Sequence, residues 1–164
     1  MSTIIAQSIN KADPTTDIEL MEYSLKNRLN QAFALLIAGL MCLYTHQWLG
    51  VVVTYMLLIV IRGRSGGVHL PSITLCSLVS GMFLGFVPVI KYSNEVVFIL
   101  TLISAVIFII FAPNYFHDRD DDGRDLQNKL IVTIIALSNL FFLSSLMATV
   151  LIVQAVTILP WRRR

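Results

Sequence analysis

Apolar residues along the chain gather into runs, and polar residues or prolines mark where each run stops. Ala32 to Thr45 and Trp48 to Ile61 flank His46 and Gln47, and Ser72 to Ile90 follows the mixed segment Arg62 to Pro71. Val96 to Ala112 leads into Pro113 and a charged loop; Leu130 to Leu159 then runs 30 residues without a charge. As one helix that last run would be ~45 Å long, against a hydrocarbon core of ~30 Å. It is too long for a single crossing, and a division near Ser144 and Ser145 gives six apolar helices. The first, second, fifth and sixth runs are each only about 14 to 16 residues, which points to tilted arms, re-entrant pieces or a thinned bilayer.

Ahead of these runs, Asp17 to Gln31 places Ile18, Met21, Leu25 and Leu29 at spacings of three and four, one face of a helix. Glu19, Glu22, Lys26 and Arg28 occupy the other faces, acids first and bases last, as the helix dipole prefers. The pattern predicts an amphipathic helix lying on the membrane. Met1 to Asn10 has neither the basic start nor the apolar run of a secretory signal. The expected fold class is therefore all-α: a polytopic integral membrane protein with about six hydrophobic helices and an N-terminal amphipathic helix. It reads as one domain over 1–164, with 1–31 cytoplasmic or interfacial and 32–164 transmembrane.

Composition agrees with that reading. Only 13 % of the 164 residues are charged and 56 % are hydrophobic, whereas a globular domain carries about 25 % charged residues. Too few charges remain to coat a water-facing surface. With six crossings and the N-terminus inside, Lys11, Lys26, Arg28, Arg62, Arg64, Arg119, Arg124, Lys129 and Arg162 to Arg164 all fall on the cytoplasmic side, leaving Lys91 outside. Five crossings would move the three C-terminal arginines across, so six satisfies the positive-inside rule better.

The same numbers exclude other classes. A formal charge of +2 gives no nucleic-acid footprint, and 2 cysteines give neither a disulfide framework nor a CxxC metal pair. No cofactor and no metal is expected. Asp118 to Gly123 begins like a calcium loop, but Asp125 and Lys129 stand where an apolar residue and a bidentate glutamate are needed, so it reads as a solvated charged loop. Ser77, Ser80, Gly81 and Gly85 are small enough to let another helix approach closely.

Chemistry concentrates in the segment from Arg62 to Cys76. A glycine pair, Gly66 and Gly67, is followed by His69, Pro71 and then Cys76 just inside the next apolar run. Pro71 suits a first helical turn, which would put Cys76 in the second turn of the helix. A helix N-terminus with Arg62 and Arg64 nearby favours thiolate, while burial in lipid opposes it. Were the segment wholly helical, the seven residues from His69 to Cys76 would separate them by ~10 Å, whereas a thiol and its base must come within about 3 Å. The chain must bend there, and Gly66, Gly67 and Pro71 permit it. The plainer reading makes His69 and Cys76 structural. Cys42, without a basic neighbour, reads as a small buried apolar residue; His46 reads as interfacial and His117 as part of the charged loop.

Gly66, Gly67 and His69, with Cys76 seven positions later at the head of a span, resemble the AgrB (accessory gene regulator B) family of bacterial membrane cysteine endopeptidases. The small size, the apolar hairpins, Ala112-Pro113 and the ending from Gln154 to Pro160 are similar to that family too, whereas Val68, Leu70 and Pro71 depart from its usual residues. The resemblance implies that Cys76 is the nucleophile and His69 the base, with Arg62 or Arg64 holding the acidic tail of an AgrD-like precursor peptide beside Gly66 and Gly67. It implies cleavage through an acyl-enzyme thioester, then displacement by a thiol or hydroxyl of the peptide to give a thiolactone or lactone. A homodimer in the bacterial cell membrane, with both termini cytoplasmic, is the implied setting. The alternative from another class is a non-enzymatic scaffold or small transporter subunit. The apolar runs carry no charge, which disfavours ion coupling but not a scaffold.

Overall fold

The computed structural model describes residues 18–68, 72–114 and 124–160, with backbone alone for 18–24, 26, 27 and 73. Six helices follow one another: α1 (Ile18–Thr45), α2 (Trp48–Ser65), α3 (Ile73–Phe86), α4 (Asn94–Phe111), α5 (Asp125–Phe142) and α6 (Ser145–Thr157). A 3-10 turn, Val87–Val89, extends α3 around Pro88. The chain is an all-α membrane protein: Arg28–Thr45, Trp48–Ser65 and Asn94–Phe111 are long and apolar enough to cross a bilayer, while Thr74–Val89 and Ser145–Thr157 are shorter apolar helices. Large apolar side chains such as Leu36, Leu40, Ile110 and Phe141 stay exposed on the outside, which suits lipid rather than water.

Each break has a local cause. His46, at φ 55°, turns the chain between α1 and α2, and Gly66, at φ 74°, ends α2. Leu143 takes a left-handed conformation after α5, and the Ser144 hydroxyl then caps α6 by accepting from the Met147 N–H at 3.3 Å. The expected division at Ser144 and Ser145 is therefore real. Two expectations need correction. The amphipathic segment is not a separate helix, because no glycine, proline or cap interrupts residues 29 to 32, and α1 continues from Ile18 to Thr45 as one rod of 28 residues. In addition α3 starts at Ile73, with Ser72 rather than Pro71 opening it, since the Ser72 hydroxyl accepts from the Leu75 N–H at 3.4 Å.

The helices assemble in two groups that share α2. On one side α1 and α3 run parallel in a close seam: Asn30 meets Ser77, Ala34 and Ile37 meet Gly81, and Met41 meets Gly85. A β-carbon added at Gly81 would lie 2.8 Å from the Ala34 carbonyl oxygen, and one at Gly85 2.7 Å from the Met41 β-carbon. The small residues are thus what allows the backbones to approach, as membrane helices require when lipid offers no hydrophobic drive between them. Ala38 and Cys42 of α1, Val51 of α2 and Leu84 of α3 form a buried cluster there. On the other side α4, α5 and α6 close with α2 around fully buried Phe108, Ile61, Val132 and Leu151.

Several polar groups inside these layers are satisfied locally, although the buried hydroxyls of Thr45 and Thr133 find no partner among the described residues. Thr54, Ser104 and Thr149 return their hydroxyls to carbonyls four residues back, which keeps a hydroxyl paired without a neighbour. Buried Asn139 donates to Thr101 Oγ1 at 2.9 Å and accepts from the Ser144 N–H at 3.0 Å, joining α4 to the α5–α6 break.

The links between helices lie at two ends. Residues 65–68, Asn114 and residues 157–158 are hydrogen-bonded together at one end. At the other, the Tyr92 N–H donates to Ser145 Oγ at 3.0 Å and Gly50 abuts Pro88.

Candidate active site

At the first of these ends the chain leaves α2 through two glycines that both have positive φ, 74° at Gly66 and 136° at Gly67. The bend expected before His69 is therefore present, since L side chains rarely adopt such angles. A polar clasp holds it. The Gln154 side-chain amide, buried on α6, donates to Ser65 Oγ at 3.0 Å and to the Gly66 carbonyl at 2.6 Å. The Gly67 N–H donates to the Asn114 carbonyl, and the Val68 N–H to the Thr157 carbonyl, each at 3.0 Å. The Asn114 N–H in turn donates to the Ser65 carbonyl at 2.9 Å, and its side-chain amide donates to the Ile158 carbonyl at 2.9 Å. The backbone N–H groups of Gly66, Gly67, Val68 and Asn114 are all engaged in this short irregular stretch, as irregular backbone at a membrane edge requires.

From the clasp the chain is led toward α3. Arg62 Nη2 donates to the Val68 carbonyl at 3.0 Å, fixing the residue just before His69. His69 itself, with Leu70 and Pro71, lies outside the described residues. Beyond them Ser72 caps α3, and Cys76 is its fourth residue, at the end of the first turn rather than in the second.

Cys76 is half-buried on the wall of a cavity of about 310 Å³ enclosed by α1, α2 and α3. Asn30 and Ala34 of α1, and Tyr55, Leu58 and Arg62 of α2, contribute to the wall opposite. The Asn30 amide donates to Cys76 Sγ at 3.6 Å, while Ser77 Oγ donates to Asn30 Oδ1 at 2.7 Å. A thiol, a neutral amide and a guanidinium thus share one cavity beside a glycine bend, an arrangement suited to nucleophilic attack on a bound carbonyl.

The structure brings only some of the expected site residues together. Cys76 and Arg62 share the cavity, whereas Gly66 and Gly67 are engaged by the clasp and, with Arg64, are not among its described lining. A β-carbon at Gly67 would lie 2.8 Å from Thr157 Oγ1. Cys42 is fully buried between α1, α2 and α3, as an inert apolar filler should be. His117 and the loop from Asp118 to Gly123 lie outside the described residues, and among the described residues no group of His, Cys, Asp and Glu could hold a metal.

Asn30, Gln154, Asn114 and Ser65 were not apparent as site residues from sequence. Asn30 sits among charged residues on the polar side of α1, yet it heads the four-residue stripe Asn30, Ala34, Ala38 and Cys42. That stripe, with its partner Ser77, Gly81 and Gly85, was the signal available. Gln154 was detectable as an isolated amide in the last apolar run.

A family model described as AgrB, accessory gene regulator B, matches residues 2–160. No curated protein and no solved structure matches the chain significantly.

Proposed function

Because the chain belongs to the accessory gene regulator B family and so takes part in processing the quorum-sensing peptide, we propose that it is a membrane cysteine endopeptidase with Cys76 as nucleophile and His69 as base. The observation that carries this reading is the contrast between the two cysteines. Cys76 opens onto a cavity beside hydrogen-bond donors, while Cys42 is sealed in apolar packing.

In the proposed cycle His69 takes the Cys76 proton as Sγ attacks the scissile carbonyl near the C-terminus of an AgrD-like precursor. The new C–S bond forms, the carbonyl oxygen becomes an anion, and collapse of that intermediate breaks the C–N bond. His69 returns the proton to the leaving amine. A thiol or hydroxyl of the peptide then attacks the thioester, closing a thiolactone or lactone and regenerating Cys76. Apolar helix walls around the cavity favour this second transfer over hydrolysis by limiting water. Arg62, on the wall opposite, suits an acidic tail of the precursor. We place the protein in the bacterial cytoplasmic membrane with both termini cytoplasmic. That puts the clasped end, which carries Arg62 and Arg64, where a newly made precursor arrives.

The test is co-expression with candidate short precursors carrying a central cysteine or serine and an acidic tail. Wild type and Cys42→Ala should process the precursor, and Cys76→Ala should not. Processing by Cys76→Ala at the wild-type level would overturn the proposal.

A further inference from the structure

Acyl transfer to Cys76 places negative charge on the carbonyl oxygen inside a cavity walled by apolar helices. Such charge needs hydrogen-bond donors positioned in advance. A nucleophile at the start of a helix can use backbone N–H groups for this, because the first turn leaves several unpaired. Here those nearest the sulfur are committed. The Cys76 N–H donates to the Ser72 carbonyl at 2.9 Å and the Leu75 N–H to the Ser72 hydroxyl at 3.4 Å. A side chain on a facing helix can supply the donor instead.

We infer that Asn30 is the oxyanion donor for acyl transfer at Cys76, an assignment that rests on the enzyme reading above. Its Nδ2 lies 3.6 Å from Sγ. Ser77 Oγ donates to its Oδ1 at 2.7 Å, which turns the NH2 group toward the sulfur. An amide NH2 has two hydrogens, so one N–H can follow the sulfur while the other meets the oxygen of the carbonyl under attack. The geometric requirement is a donor about 2.7–3.1 Å from the forming oxyanion, and an amide already in contact with the attacking atom meets it with a small adjustment. Asn30 is also neutral, so it stabilises the anion without forming a salt bridge to the precursor's acidic tail. Arg62 is directed elsewhere, with its Nη2 on the Val68 carbonyl.

The seam between α1 and α3 explains how the amide is held. Asn30 and Ser77 lie one turn from Ala34 and Gly81, where the two backbones come closest. Parallel helices thus place the donor of one beside the nucleophile of the other, and Ser77 is a positioning residue that sets the orientation of the amide.

The experiment compares two reactions of the same thiol in full-length protein carrying Cys42→Ala, reconstituted in lipid nanodiscs. Precursor cleavage passes through an oxyanion. Alkylation of Cys76 by iodoacetamide is a displacement at a saturated carbon and forms none. With Asn30→Ala, and with Asn30→Asp, which keeps the size but cannot donate when ionised, single-turnover cleavage should fall ~100-fold. KM should stay within about threefold, and so should the alkylation rate read at its high-pH plateau, where the thiol is fully ionised whether or not Asn30 donates to it. Cleavage retained within that margin by both variants would overturn the assignment. So would cleavage and alkylation falling together, which would mean that Asn30 only maintains the seam. Cleavage by Cys76→Ala in the same assay would instead remove the enzyme reading on which the assignment depends.

Discussion

Gly81→Ala tests whether the α1–α3 seam sets the geometry of the site. The added β-carbon would lie 2.7 Å from the Ile37 β-carbon and 2.8 Å from the Ala34 carbonyl oxygen, whereas ordinary contact begins near 3.4 Å. One obstacle is backbone, so a side-chain rotation cannot relieve it and the helices must part by at least about 0.7 Å locally. Overpacking of this kind costs roughly 1–3 kcal/mol. The same opening, carried one turn along the seam, lengthens the 3.6 Å contact from Asn30 to Cys76 Sγ and the 2.7 Å bond from Ser77 to Asn30. The first would then exceed useful hydrogen-bond length, and the second would weaken to the edge of it. Displacing catalytic groups by up to an ångström can cost on the order of 100-fold, so precursor cleavage should fall roughly tenfold to a hundredfold. Gly39→Ala is the control: it lies on α1, the facing helix, with nothing within 4 Å of its added β-carbon, and it should gain about 0.5–1 kcal/mol from lower backbone entropy. The assays are single-turnover cleavage in nanodiscs and the thermal midpoint of the detergent-solubilised protein. Gly81→Ala with wild-type cleavage and an unchanged midpoint would refute the reasoning.

Other expectations follow from the clasp and the α5–α6 break. Gln154→Ala removes the donor to Ser65 Oγ and the Gly66 carbonyl and leaves only the 3.3 Å bond from the Ser65 hydroxyl to that carbonyl, at about 0.5–1.5 kcal/mol for each bond lost. Cleavage should drop at least tenfold while iodoacetamide still labels Cys76. Gly67→Ala combines a φ of 136° with a β-carbon 2.8 Å from Thr157 Oγ1 and should lower both the thermal midpoint and cleavage. Leu143→Gly relieves a left-handed conformation at φ 48°, worth about 1–2 kcal/mol, and should raise the midpoint without altering cleavage. Asn139→Leu leaves the Ser144 N–H and Thr101 hydroxyl without their partner; an unpaired buried group costs about 1–3 kcal/mol, read as a lower midpoint.

The readability of this chain from sequence depended on whether a feature was local. Helix limits at Ser144, Pro88 and Pro113 follow from caps and prolines, whose effects act within one turn, so the six apolar helices could be placed before any packing was known. The seam was half legible: Gly81 and Gly85 signalled close approach, but not which helix approached. The join of the amphipathic segment to the first span was missed because polarity changes near Ala32 while backbone propensity does not. Asn30 and Gln154 were illegible as site residues for a different reason. Their significance lies in partners 46 and 89 positions away, Cys76 and Ser65, and no spacing rule reaches that far. The Cys76 motif stood out because its glycines, bases and thiol all fall between Arg62 and Cys76.

The clasp also orders events during synthesis. Gln154 is 89 positions downstream of Ser65, and ribosomes add about 5–20 residues per second. Gln154 is 78 positions beyond Cys76, so for roughly 4 to 16 seconds Cys76 has been made while the segment that leads into His69 still lacks the acceptors and donors of α6. A growing chain in that interval carries the thiol without the support that shapes its surroundings. The cavity around Cys76 is built from α1, α2 and α3 alone, so the thiol and its cavity precede the glycine bend, which is held only once the last helix arrives.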